Sequence, residues 1–177
     1  SIDSITISEP QAISISITTD SVDCNGGNNG SITATPSGGN GAYTYLWDDL
    51  NTQTTAIATG LTVGNYSVTI TDNSGCSSTA NGSIFEPSIL SVTITTGSIS
   101  CNGGNDGTAT ANPSGGSGLY SYNWNTTPTQ NSSIATGLVA GSYSVTISDA
   151  NNCTIIGSTL LNDPPAIIIS TNTVDAT

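Results

Sequence analysis

Four cysteines, twelve carboxylates and a large population of Ser and Thr hydroxyls are the groups with chemistry to offer in this 177-residue sequence, which has no Lys, no Arg and no His. A hydroxyl nucleophile needs a base to take its proton, and the usual bases, His and Lys, are absent. The thiols leave the inventory as well once they are bridged, so the sequence reads as non-enzymatic. An acid and base pair of carboxylates is available at Asp48-Asp49, but 77 residues later the same positions are Asn125-Thr126, so the pair is not part of the plan that the chain repeats.

The formal net charge is −12, with no cationic side chain to balance any of it. Phosphate neutralisation requires Lys or Arg, which excludes nucleic acid as a partner and an anionic membrane surface with it. Oxygen-rich turns at Asp72 to Gly75 and at Asn102 to Gly107 resemble loops that hold hard cations, making Asp72, Asp149 and Asp106 the candidate Ca2+ ligands. The other reading is a plain turn, since Asn29 stands where the second copy has Asp106 and only Asp72 and Asp149 persist. Zinc is disfavoured by the lack of His and of free Cys, and no cofactor is implied.

These groups recur with a fixed period. Cys24-Asn25-Gly26-Gly27-Asn28-Asn29-Gly30 returns as Cys101-Asn102-Gly103-Gly104-Asn105-Asp106-Gly107, and a shift of 77 aligns Glu9-Pro10 with Glu86-Pro87 and Asp163-Pro164 without a gap. Residues 10–86 and 87–163 are then two full repeats, 1–9 the end of a preceding one and 164–177 the start of a following one, as in a window onto a longer array. Little more than Glu86-Pro87-Ser88 separates the last strand of one repeat from the first of the next, and proline leaves that joint few conformers. Phe85 interrupts the local alternation and is a candidate for packing there. No apolar run approaches the length of a membrane span, and no secretory signal pattern opens the sequence, so membrane insertion is not expected.

Within a repeat the hydrophobic period is two, with β-branched residues between glycine-rich turns, which predicts an all-β fold. Ile13, Ile15 and Ile17 share one strand face, as do Leu90, Val92 and Ile94. Further strands are expected over 31–36, 43–47, 57–61, 66–72 and 78–85. Tyr43, Tyr45 and Trp47 alternate along one face. That face is read as core, because the intervening positions Leu119, Ser121 and Asn123 are mostly polar in the second copy, against the alternative of a sugar-stacking platform.

The cysteines of small repeated modules suggest disulfides and an oxidising, extracellular compartment. Four expected strands separate the two cysteines of each repeat, and four antiparallel passes return a chain to its starting end. On that parity Cys24 pairs with Cys76 and Cys101 with Cys153, the main alternative being Cys76 with Cys101 across the joint.

The run Cys-Asn-Gly-Gly-Asn-x-Gly, then Pro-Ser-Gly-Gly-x-Gly-x-Tyr-x-Tyr-x-Trp, then Gly-Leu-x-x-Gly-x-Tyr-Ser-Val-Thr-Ile-x-Asp and a closing Cys resembles the SprB-type repeat of very large bacterial surface adhesins. The resemblance implies tandem immunoglobulin-like or PKD-like antiparallel β-sandwiches joined end to end in a rod, export to the cell surface, and a place in a filament used for gliding motility or attachment. It implies structural roles for Cys24, Cys76, Cys101, Cys153, the turn glycines and the strands ending in Trp47 and Trp124. It brings no catalytic residue. Asp3-Ser4-Ile5 and Asp20-Ser21-Val22 are similar to the O-glycosylation sites of the bacteria that carry such repeats, making Ser4 and Ser21 candidates for sugar. The function expected is a stalk that projects an adhesive region, with neighbouring repeats of the same chain as partners. The alternatives are a module that binds glycans or a substratum, and a filament subunit that donates strands.

Overall fold

The computed structural model describes residues 9–170. The chain divides into two compact units, Ser1–Ser88 and Ile89–Thr177. In the first, six strands form: β1 (Ser14–Asp20), β2 (Gly30–Ser37), β3 (Thr44–Trp47), β4 (Ile57–Leu61), β5 (Gly64–Thr71) and β6 (Ser77–Ile84). The second repeats them as β7 (Ser91–Gly97), β8 (Gly107–Ser114), β9 (Ser121–Trp124), β10 (Ile134–Leu138), β11 (Gly141–Ser148) and β12 (Thr154–Leu161). Among the described residues there is no helix. The fold is all-β, as the period of two predicts.

Each unit is a pair of three-stranded antiparallel sheets. The first has orders β1-β2-β4 and β3-β5-β6, the second β7-β8-β10 and β9-β11-β12. The alternation along the strands decides what lies between the sheets. Ile32 and Ala34 of β2, Ala58 and Leu61 of β4, and Val68 and Ile70 of β5 are all buried, and Trp47 is the largest side chain among them, 1 % exposed. Ile15, Ile17, Tyr43 and Tyr45 pack on the rim of this core, as expected of the inward faces. The second core is assembled from the equivalent positions around Trp124. Where β6 passes β1 the packing is close: a Cβ at Gly82 would lie 3.0 Å from Ile17 and 3.1 Å from Ile32, so these side chains would have to give by a few tenths of an ångström to admit one.

The direction of each pass fixes where the turns come. A Cβ built at Gly30 would meet Ile84, the Leu61 carbonyl and the Asp20 carbonyl, so these four residues share one end of the unit. Gly39, Ile13 and Asp72 share the other. From the first end β2 runs to the second. β3 then starts back from there, pairing Thr44 with Thr71 and Trp47 with Val68, and covers only half the distance. β4 covers the remaining half in the other sheet, pairing Ile57 with Thr33 and reaching Gly30 at Leu61. The two short strands therefore make one pass between them, changing sheets midway.

That change of sheet is held by one side chain. The Gln53 backbone carbonyl accepts the Trp47 N–H at 2.9 Å, and its side-chain amide closes on Thr59, Nε2 donating to the Thr59 carbonyl at 2.9 Å and Oε1 accepting the Thr59 N–H at 3.0 Å. Gln130 does the same for Trp124 and Thr136.

Candidate functional site

The cysteine turn is built as its glycines require. Gly26 and Gly103 have φ of 73° and 74°, a left-handed conformation costly for any residue with a Cβ. The turn closes with the Gly27 N–H on the Cys24 carbonyl and the Gly104 N–H on the Cys101 carbonyl, both at 2.9 Å. A side-chain oxygen of Asn29 accepts the Asp23 N–H at 3.0 Å, and a carboxylate oxygen of Asp106 accepts the Ser100 N–H at the same distance. Asn and Asp are interchangeable here because each supplies an acceptor. The Asp106 carboxyl is held below its ordinary range by the Ser100 side-chain and backbone bonds.

The asparagine of the motif fastens this turn to the segment by which the chain leaves the unit. Asn25 Nδ2 donates to the Pro87 carbonyl at 3.0 Å and Asn102 Nδ2 to the Pro164 carbonyl at 2.9 Å, while the Gly26 N–H reaches a Glu86 carboxylate oxygen at 2.7 Å. Neither this role of the asparagine nor that of Gln53 follows from hydrophobic pattern. Their identity across the 77-residue shift is the signal that could have found them.

At the other end stand Asp72 and Asp149, each buried with about 5–6 % of its surface exposed. Oδ1 of Asp72 accepts the N–H groups of Ser74 and Cys76, both at 2.9 Å, and Oδ2 accepts that of Asn40 at 2.9 Å. Asp149 accepts the N–H groups of Asn151 and Cys153 through Oδ1 and of Ser117 through Oδ2, all at 2.9 Å. The bond from Asn40 in one and from Ser117 in the other is the main force that lowers these carboxyls' pKa, opposing the upward push of burial. Each carboxylate thus ties the turn before the last strand to the Ser-Gly-Gly turn after β2 or β8. Its oxygens serve amides, and among the described residues no three His, Cys, Asp or Glu gather in a group able to hold a metal.

Two expectations about the cysteines are corrected. Cys76 and Cys101 are free and exposed, whereas Cys24 and Cys153 are disulfide-bonded. Neither Cys24 with Cys76, nor Cys101 with Cys153, nor Cys76 with Cys101 is therefore formed. The physical reason lies in the short strands. Four strands do separate Cys24 from Cys76, but β3 and β4 share one pass, so three passes separate them and the chain arrives at the opposite end. The length of β5, eight residues, places the two cysteines about 23 Å apart along the strand direction at ~3.3 Å per residue. A disulfide tolerates about 7 Å between Cα atoms.

The remaining candidates are structural or exposed. The indole N–H of Trp47 donates to the Thr55 carbonyl at 2.9 Å and that of Trp124 to the Ser132 carbonyl at 3.0 Å, while the Tyr43 and Tyr120 hydroxyls donate to the carbonyls of Gly38 and Gly115. The aromatic face is core, and Leu46 and Leu119 face outward. Asp48 accepts the Ser67 N–H at 2.8 Å, as Asn125 accepts that of Ser144 at 2.9 Å. Asp49 is buried and caps its loop, with Oδ1 on the Gln53 N–H at 2.8 Å and Oδ2 on Gln53 Nε2 at 3.0 Å. Its pKa is pushed upward by burial, but the Gln53 and Asn51 bonds together bring it below the ordinary value. Phe85 has a side chain 66 % exposed. Ser21 is exposed, its Oγ accepting the Phe85 N–H at 3.3 Å. Ser4 lies outside the described residues.

The sequence model of the SprB repeat matches residues 16–52 and 93–129, two stretches offset by the same 77 residues. Over these two stretches the chain is similar to the SprB repeat. Each matched stretch runs from the first strand of its repeat through the cysteine turn and the aromatic strand, and ends before the Gly-Leu-x-x-Gly-x-Tyr-Ser-Val-Thr-Ile-x-Asp run and the closing Cys. None of the curated protein sequences compared with it matches the chain. Among solved structures, a fragment of intimin bound to the intimin-binding domain of the translocated intimin receptor aligns at 15 % identity over 88 % of this chain and 65 % of that one, with a TM-score of 0.44. The amphioxus IgVJ-C2 molecule aligns at 12 % identity over 87 % and 98 %, with a TM-score of 0.36. A Dscam structure aligns at 12 % identity over 86 % of this chain, which spans about half, 46 %, of the Dscam chain, with a TM-score of 0.37.

Proposed function

We propose that the two repeats are a segment of the structural stalk of a repetitive extracellular adhesin, holding an adhesive region away from the cell surface for attachment or gliding. The observation that carries this reading is where the repeated residues are used. Cysteine-turn asparagine, bridging glutamine, core tryptophan, turn aspartate and turn glycine all recur at a spacing of 77, and each is engaged in holding its own repeat together. Among the positions that differ between the repeats, Leu46 against Asn123 and Leu50 against Thr127 face solvent, while Ile32 against Ala109 and Ile84 against Leu161 exchange one buried apolar side chain for another. A module selected for a ligand repeats its contact residues; these repeat their scaffold. The neighbouring repeats of the same chain are then the partners, and no cofactor or cation is required.

Small-angle scattering on the whole chain, together with a glycan array, tests the reading. An elongated particle that binds no glycan is expected. Saturable glycan binding lost on substituting residues of an exposed sheet face would favour the binding-module alternative instead.

A further inference from the structure

We propose that the Asn-Gly pair of the cysteine turn is a self-modifying site, at which the asparagine that fastens the turn to the exit segment converts with time to aspartate and isoaspartate. The pair in the second repeat, Asn102-Gly103, is the faster of the two, and its conversion releases the segment that the asparagine holds. The inference rests on the geometry of the turn and not on the stalk role.

Glycine is the residue that lets this reaction run. Without a Cβ, its amide nitrogen is open to the side chain of the residue before it. Five Asn-Gly pairs occur in the sequence, at Asn25, Asn29, Asn40, Asn81 and Asn102. What surrounds the glycine separates them. Gly30 and Gly82 are buried within β2 and β6 and paired there with Leu61 and Tyr66, so the peptide cannot turn its nitrogen toward the asparagine. Gly26, Gly41 and Gly103 lie in exposed turns at φ of 73°, 73° and 74°, with nothing within 4 Å of where a Cβ would stand.

The two cysteine turns differ at one hydrogen bond. In both, the asparagine amide is held alike, Asn25 Nδ2 on the Pro87 carbonyl at 3.0 Å and Asn102 Nδ2 on the Pro164 carbonyl at 2.9 Å. The attacking nitrogen is not. The Gly26 N–H donates to a Glu86 carboxylate oxygen at 2.7 Å, a charge-assisted bond that fixes the peptide and sets a negative charge beside the nitrogen that must lose its proton. The residue equivalent to Glu86 is Asp163, one methylene shorter, and among the described residues none accepts the Gly103 N–H.

The chemistry needs only base and water. Base removes the Gly103 amide proton, the nitrogen attacks Cγ of Asn102, a C–N bond forms, and ammonia leaves a cyclic imide behind. Water then opens the imide at either carbonyl, giving aspartate or, with the backbone rerouted through Cβ and Cγ, isoaspartate. One water is consumed, one ammonia is released, and nothing is oxidised or reduced. The product carboxylate is an acceptor only. It can no longer donate to the Pro164 carbonyl, and it adds negative charge to a chain with no cationic side chain to balance it.

The whole chain, aged in mildly alkaline buffer, reduced and digested with chymotrypsin, is read by tandem mass spectrometry at each of the five asparagines. Conversion several times faster at Asn102 than at Asn25, with Asn40 also converted and Asn29 and Asn81 intact, is expected. Equal rates at Asn25 and Asn102, or conversion at Asn29 or Asn81 ahead of Asn102, overturns the proposal. Glu86→Ala should raise the rate at Asn25 to that at Asn102, and Asp163→Glu should lower the rate at Asn102; unchanged rates in both variants would overturn control by the carboxylate. The release is tested on an Asn102→Asp chain by hydrogen exchange. The Asp163 and Ala166 amides should exchange several times faster than in the parent, and unchanged exchange would overturn the claim that the asparagine holds this segment.

Discussion

Alanine at Gly39 and Gly116 together, one change per repeat, tests whether the aspartate turn is held as tightly as its hydrogen bonds indicate. Both glycines have positive φ, 65° and 62°, and a Cβ would lie 2.8 Å from Asp72 Oδ2 in one repeat and at a severe 2.4 Å from Asp149 Oδ2 in the other. The comparison is Gly41 and Gly118, both at φ 73° with nothing within 4 Å of the added carbon. Left-handed backbone alone costs a residue with a Cβ about 1 kcal/mol, so the Gly41→Ala/Gly118→Ala chain is expected to lose about that much per repeat. The Gly39→Ala/Gly116→Ala chain suffers the same backbone cost plus about 1–3 kcal/mol of overpacking, since the carboxylate must leave the Asn40 and Ser117 amides or the turn must open. For units of this size 1 kcal/mol is about 4–8 °C in Tm. Melting followed by tryptophan fluorescence should therefore place the first pair below the second, by about 4 °C or more on that same scale. Equal losses in the two pairs would refute the claim that Asp72 and Asp149 are fixed in place by the turn opposite them.

Acid should weaken both repeats through the same carboxylates. Their folded pKa lies below the ordinary 3.8, so their contribution is full above that value and is lost as pH falls through the lower folded one; Asp72→Asn/Asp149→Asn should flatten the low-pH limb of the stability profile measured by denaturant titration. Trp47→Ala should cost the first repeat about 3–5 kcal/mol, with Trp47→Phe retaining part of that because it removes the bond to Thr55 but leaves the core largely filled. Gly30→Ala should lower stability by about 1–3 kcal/mol, because its Cβ would lie 2.9 Å from the backbone carbonyl oxygen of Leu61, whereas Leu46→Ser on the outward face should change it by less than about 0.5 kcal/mol, both read from chemical denaturation.

The strand faces were legible because the sequence alternates with a period of two wherever one side of a sheet is buried, and Tyr43, Tyr45 and Trp47 fell on the inward side for that reason. The turn glycines were legible too, because the Cys-Asn-Gly-Gly run allows positive φ where few other sequences do. The disulfide topology was not, and the failure is specific. Counting strands assumes that every strand is a full pass, and β3 with four residues and β4 with five are half passes in different sheets. Their combined length, close to that of β2 or β5, was present in the sequence as two short apolar runs flanking the Asp48 to Ala56 loop, but nothing in the pattern says that the chain keeps its direction through that loop. Gln53 makes it do so. The acceptor roles of Asp48 and Asn125, and of Asn29 and Asp106, were likewise hidden, because hydrogen bonding depends on an oxygen at one position and not on charge.

Pulling the chain by its two ends under reducing conditions in a single-molecule experiment tests the central claim, that each repeat is a load-bearing unit held together by its own turns and core. The two full repeats of 77 residues are expected to open in two separate steps, each freeing a contour of about 270 Å at ~3.5 Å per residue. Gradual extension without steps, or a single step of twice that length, would contradict it.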